Sequence, residues 1–165
     1  LAGEVQSFAA EWQRRLRVLD SASFREEHVW KEYRSNNAGA VAALESVQRA
    51  RCADRLLDAG VTLTDPLRID VRGDMKCGRD VRIDVNCAFE GLVELADGAV
   101  IGANCIIRNA SIGPSTRIEP FTTIDDATIG SNCRIGPYAR IRPGTSLAAD
   151  VHIGNFVEIK KNGFE

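Results

Sequence analysis

The chain has 165 residues, enough for one well-formed core. Its 44% hydrophobic and 27% charged composition is that of an ordinary soluble protein, and a formal net charge of −2 excludes nucleic-acid or anionic-lipid binding by bulk charge. There is no run of about 18 apolar residues to span a membrane, no visible signal peptide, and no C-x-x-C pair among the five cysteines to make a zinc site with His28 or His152.

Residues 1–37 read as a helical segment. Val5, Phe8, Trp12, Leu16 and Leu19 recur at three- and four-residue steps, one apolar stripe on a helix. Ser23 with Glu26 forms an S-x-x-E capping pair for a short second helix near Phe24. Asn36-Asn37 interrupts the pattern, and Asn37 is placed to cap a linker helix over 38–60. That stretch is rich in Ala, Leu and Arg, with a stripe of Val41, Leu44, Val47 and Leu56-Leu57, and Gly60 stands at its C′ position. Asp65-Pro66 marks a non-helical connection.

From Cys77 an apolar anchor returns every six positions: Ile83, Phe89, Leu95, Ile101 and Ile107. The count slips by five to Ile112, runs through Ile118 and Ile124, slips again to Ile129, and continues through Ile135, Ile141, Leu147, Ile153 and Ile159. Four residues after most anchors sits a small or β-branched residue, such as Val81, Val93, Ala99, Thr116, Thr122, Ala139, Thr145, Val151 and Val157. Period six fits neither a helix nor a simple strand. It fits a prism in which each unit makes one face and three units close a coil of about 18 residues. The expected fold is therefore mainly β, a left-handed parallel β-helix of hexapeptide repeats over 61–165, preceded by an α-helical arm. Cys87, Cys105 and Cys133 fall at the small inward position, where Cys is a compact apolar filler. Gly78, Gly102, Gly113, Gly130, Gly136 and Gly154 follow anchors, as a tight bend requires.

The stretches 60–73, Gly78-Arg-Asp-Val81, Ile135-Gly-Pro-Tyr-Ala-Arg-Ile-Arg-Pro-Gly144 and Ile153-Gly-Asn-Phe-Val-Glu-Ile-Lys-Lys161 carry a more specific signal. They resemble the bacterial bifunctional N-acetylglucosamine-1-phosphate uridyltransferases/glucosamine-1-phosphate acetyltransferases, over about 36–161. The resemblance implies acetylation of glucosamine-1-phosphate from acetyl-CoA, then Mg²⁺-dependent uridylyl transfer from UTP, by a cytoplasmic homotrimer. It places Arg142 and Lys160 on the family's phosphate-binding basic residues, Glu158 near the substrate amine, and Asn36 on an Asn that helps hold Mg²⁺ and UDP-N-acetylglucosamine. The family's Gly-rich nucleotide loop has no counterpart here, and its catalytic histidine and acetyl-CoA pocket match nothing up to Lys161. Neither His28 nor His152 takes that histidine's position. The expectation is a truncated member holding half of one active site, with no catalytic residue of its own.

Arg142 and Lys160 also have a case from the residues. Both follow an anchor by one position, in a column that reads Glu90, Arg108, Asp125, Arg142, Lys160. Signs alternate until two cations meet, an arrangement a phosphate would complete; the alternative is a solvated pair splayed apart. Arg140 and Glu158 share another column, leaving Glu158 either a salt bridge or a group facing the substrate amine. Asn36 has its own alternative, the end of a loop. A competing function is a non-catalytic oligomerising or sugar-phosphate-binding scaffold. The stripe of Phe8, Trp12 and Leu16 calls for a covering partner in either case.

Overall fold

The structure is a computed structural model that describes residues 38–160, the side chains of 38–41, 43 and 44 excepted. The stripe at Val5, Phe8, Trp12, Leu16 and Leu19, the pair Ser23 and Glu26, His28, and Asn36 lie outside the described residues. A helix runs over Ala38–Asp58. It ends in a Schellman closure: the Val61 N–H donates to the Leu56 carbonyl and the Gly60 N–H to the Leu57 carbonyl, both at 2.9 Å, with Gly60 at φ +87°. Cys52, Ala53 and Leu56 form its buried face, while Val47 and Leu57 are 47% and 42% exposed. Successive helical residues are about 100° apart, so Leu56 and Leu57 cannot both face the core. No helix among the described residues is long and apolar enough to cross a membrane.

From Thr62 the chain winds into a three-faced parallel β-helix. The first face stacks six strands in the order Thr62–Leu63, Arg82–Ile83, Val100–Ile101, Arg117–Ile118, Arg134–Ile135 and His152–Ile153. The second and third faces are built by long strands bent at a corner (Ile69–Cys77, Cys87–Leu95, Ile106–Ile112). Above them come shorter segments such as Thr123–Asp125 and Ala127–Ile129. Rungs repeat after 18 or 17 residues, as in Ile83↔Ile101 and Ile101↔Ile118. The anchors from Ile83 to Ile141 are all at most 2% exposed, because alternate residues of a strand face opposite sides and these face inward.

The coil starts two faces before the six-residue count does. Leu63 pairs with Ile83, Val71 with Phe89 and Cys77 with Leu95. The 3₁₀ turn Pro66–Arg68 lengthens the step from Leu63 to Val71; Asp65 Oδ1 caps it, accepting from the Leu67 N–H at 3.0 Å. Both five-residue slips fall at the third corner, where Asn109 and Asp126 each turn the chain alone at φ +44°. Gly91 and Leu92 together oppose Asn109, and the register shifts there as a bulge. The extra residue, Leu92, is 64% exposed, and its N–H donates to Asn109 Oδ1 at 3.2 Å.

The glycines after the anchors have a different task from the one expected. Of the six, only Gly136 has a positive φ, +97°. Gly113 and Gly130 instead let neighbouring rungs approach: a Cβ on Gly113 would lie 2.5 Å from the Gly130 carbonyl, and one on Gly130 2.5 Å from that of Ala148. Left-handed turns fall mostly to other residues. At the second corner Asn86, Asn104, Phe121, Tyr138 and Phe156 take φ of +55° to +60°. The Phe121, Tyr138 and Phe156 rings stack at 4.9 and 5.2 Å. Such contacts, about 0.5–1.5 kcal/mol each, offset a left-handed cost of about 1–2 kcal/mol per residue.

The inward cysteines pack as expected. Their thiols donate to carbonyls of the next rung: Cys87 to Gly102 (3.2 Å), Cys105 to Glu119 (3.3 Å) and Cys133 to Ala148 (3.1 Å). Burial pushes the Cys87 thiol up to about 11 and the Cys105 thiol up to about 12, so neither is a nucleophile near neutral pH.

The inward threonines Thr116 and Thr122 are both fully buried but unequal. Thr116 Oγ1 donates to the Gly130 carbonyl (2.7 Å) and accepts from the Cys133 N–H (3.0 Å). Thr122 Oγ1 is buried without a partner. Thr116→Val should therefore lose about 1–3 kcal/mol of unfolding free energy, whereas Thr122→Val should be neutral or stabilising. Urea titration of both variants checks the order; a larger loss at Thr122 would contradict it.

Candidate functional site

The candidate site lies at the end of the second face. Arg140 pairs with Glu158 and Ile141 with Ile159 in parallel register, and the Arg142 N–H donates to the Ile159 carbonyl at 2.9 Å. Ile141 is fully buried, which turns Arg140 and Arg142 outward on either side of it. Position 160 follows Ile159 and stands across from Arg142, one rung away. Adjacent rungs lie about 4.8 Å apart. Lys160 is exposed.

The turn after Arg142 is tied down. Thr145 Oγ1 donates to the Arg142 carbonyl (2.7 Å), and the N–H of Gly144, at φ +77°, donates to the Asp126 carbonyl (2.8 Å). These bonds hold the backbone that carries the Arg142 side chain. The sequence reading assigns Thr145 only a packing role; its place just after Arg-Pro-Gly is the signal for this second one.

Glu158 Oε1 lies 3.6 Å from Arg142 Nη1 and 3.8 Å from Arg140 Nε. The expected column brings Arg142 and Lys160 together with no anion between them; the carboxylate near Arg142 stands in the neighbouring column, at Glu158. A long arginine reaches diagonally across the face, so the carboxylate two residues along serves both guanidinium groups. Arg142 and Glu158 are about half exposed and Arg140 more so, and such ion pairs are each worth about 0–1 kcal/mol. Earlier in the Arg142 column the alternation does make ion pairs: Arg72–Glu90 at 3.1 Å and Glu90–Arg108 at 2.6 Å, with Arg108 opposite Asp125 in register. The hydrogen bond from Arg108 holds the Glu90 carboxyl below the usual carboxylate range. That stabilisation is present above the ordinary carboxylate pKa and lost as pH falls through the lowered value.

Asn36, the expected Mg²⁺ and nucleotide-sugar residue, lies outside the described residues. Among those described, no three His, Cys, Asp or Glu side chains come together to hold a metal ion. His152 is exposed on the first face, opposite Arg134 rather than beside Glu158. The sequence reading missed an open groove of about 590 Å³ on the third face, lined in part by Lys76, Glu94, Ser111, Thr128 and Ser146. Its signal is the hydroxyl residue immediately before the anchors Ile112, Ile129 and Leu147.

Residues 71–163 match the family model described as GMPPB C-terminal domain, and the chain belongs to that family. It is also a homologue of the bifunctional protein GlmU. It is 58% identical over 131 residues to GlmU of Burkholderia multivorans, covering 79% of this chain and 29% of that protein. Against GlmU of Cupriavidus pinatubonensis it is 53% identical over 144 residues, covering 87% and 32%. The chain thus spans about a third of the length of these curated relatives. Among solved structures, perosamine N-acetyltransferase from Caulobacter crescentus, in complex with CoA and GDP-perosamine, is similar at a TM-score of 0.40 and 16% identity, covering 73% of this chain and 66% of that one.

Proposed function

We propose that Arg142 and Lys160 form the phosphate-binding part of an amino-sugar phosphate site, with Glu158 beside them for the sugar amine. The observation that carries this reading is the convergence of Arg140 and Arg142 on one exposed carboxylate, next to the cation at position 160. A phosphate dianion takes the guanidinium fork of Arg142 and the ammonium of Lys160 in charge-assisted hydrogen bonds. Glu158 then faces a ligand that carries an amine as well as a phosphate, as glucosamine-1-phosphate does. Kinship to GlmU supports that substrate class, UDP-N-acetylglucosamine as the later product, the cytoplasm as the place and a homotrimer as the assembly.

Acetyl-CoA and Mg²⁺ enter at family level alone. The described residues offer no carboxylate cluster for Mg²⁺. General-base removal of a proton from the amine contributes about 10²–10⁴-fold and needs a group within hydrogen-bond reach. No histidine stands beside Glu158 among the described residues, since His152 lies on the first face. These 165 residues by themselves should therefore bind glucosamine-1-phosphate yet release no CoA from acetyl-CoA above background and consume no UTP. A thiol-release assay and a pyrophosphate-release assay check this; turnover in either would overturn the half-site reading. A purely oligomerising scaffold would show neither turnover nor sugar-phosphate binding.

A further inference from the structure

The first face carries a charge pattern unlike the other two. Its outward positions, one before each anchor, are Arg82, Val100, Arg117, Arg134 and His152, each directly opposite the next in parallel register. All but Val100 are exposed. On the other faces opposite signs meet at Arg72–Glu90–Arg108 and at Lys76–Glu94 (3.0 Å), and the second face sets like charges opposite each other at its last step, Arg142 and position 160. Here Arg117, Arg134 and His152 follow one another on three rungs about 4.8 Å apart, and like charges directly opposite destabilise a sheet. Among the described residues one carboxylate reaches the row: Glu119 accepts from Arg134 Nε at 2.8 Å, which leaves the Arg134 Nη groups for another acceptor. Among the described residues, Arg117 and His152 have no carboxylate within 4.0 Å. Asp150, at the adjoining corner, is held by the Asn132 amide at 2.5 Å.

We propose that this row is a binding site for a short phosphate chain laid across the rungs, with Arg117 and Arg134 as its main contacts and His152 at its end. Two guanidinium forks, one per rung, each match a phosphate group in bidentate geometry. A chain of linked phosphates reaches the three rungs of Arg117, Arg134 and His152 at once, a span of about 10 Å, whereas a single phosphate bridges two rungs at most. The row is separate from Arg142 and Lys160, which lie on the second face, and Val100 separates it from Arg82.

The test is calorimetric titration of the whole chain with inorganic tripolyphosphate, a nucleoside triphosphate and inorganic phosphate, at about 0.05 M and 0.3 M salt. Tripolyphosphate should bind at least tenfold more tightly than phosphate, and less tightly at the higher salt. Arg117→Glu should weaken it at least tenfold while melting no lower than the parent without ligand, since the new carboxylate faces Arg134. Arg117→Gln, which adds no charge, should weaken binding in the same direction and guards against a folding artefact. Arg82→Glu should stay within twofold of the parent. A nucleoside triphosphate that binds like tripolyphosphate identifies the phosphate chain as what is recognised; tighter binding adds a contact from the nucleoside. Absence of tripolyphosphate binding, no loss in the Arg117 variants, or an equal loss in Arg82→Glu would overturn the site. A loss in Lys160→Glu alone would move the phosphate to the second face and overturn it as well.

Discussion

Ile124→Ala is expected to lower the unfolding free energy by about 2–5 kcal/mol. Ile124 is fully buried at the middle of the second face, stacked between Ile107 on one rung and Ile141 on the next. Truncation removes the transfer free energy of the side chain and leaves a void. The void cannot close cheaply, because parallel ladders fix the spacing of the rungs that carry its neighbours. Ile159→Ala should cost clearly less, since that anchor is only partly buried. Guanidinium titration of the two variants measures the difference. Equal losses, or a loss below about 1 kcal/mol at Ile124, would mean that the coil relaxes around a missing anchor.

The regular part of this molecule is legible in its sequence because one physical constraint repeats. Each face must offer one large apolar side chain to the axis, so Ile83 through Ile141 betray the coil without any structure. The closure at Gly60 is equally plain, since Leu56, Gly60 and Val61 satisfy a local motif. What escapes the repeat is what breaks its spacing or crosses it. The anchors Leu63 and Val71 escape the six-residue count because the 3₁₀ turn at Pro66–Arg68 lengthens the step between them. The glycines after the anchors suggest left-handed bends, yet the bends fall to residues such as Asn104, Phe121 and Asn132, and Gly113 and Gly130 make room for backbone. At the candidate site, reading one column at a time pairs Arg140 with Glu158 but hides the diagonal contact from Arg142. The row Arg117, Arg134 and His152 was open to the same column reading, one position before the anchors instead of one after.

Lys160→Glu should abolish glucosamine-1-phosphate binding, and Arg142→Ala should weaken it about 10- to 100-fold, the equivalent of losing a charged hydrogen bond of about 1.5–3 kcal/mol. In Lys160→Glu the ligand phosphate meets a carboxylate where it met an ammonium. Thermal unfolding of the same variant tests the geometry independently of any ligand. A carboxylate across from Arg142 on the adjacent rung makes an opposite-charge cross-strand pair, worth about 0.2–1 kcal/mol. Glu158 already stands 3.6 Å from the Arg142 guanidinium, so the gain belongs at the low end of that range. It should fade as salt rises, because exposed charges are screened. Titration and unfolding at low and high salt separate the possibilities. Unchanged ligand affinity would remove Arg142 and Lys160 from the site. Lost binding without the stability gain would keep the site but show that residues 142 and 160 act on the phosphate without facing each other across the rung.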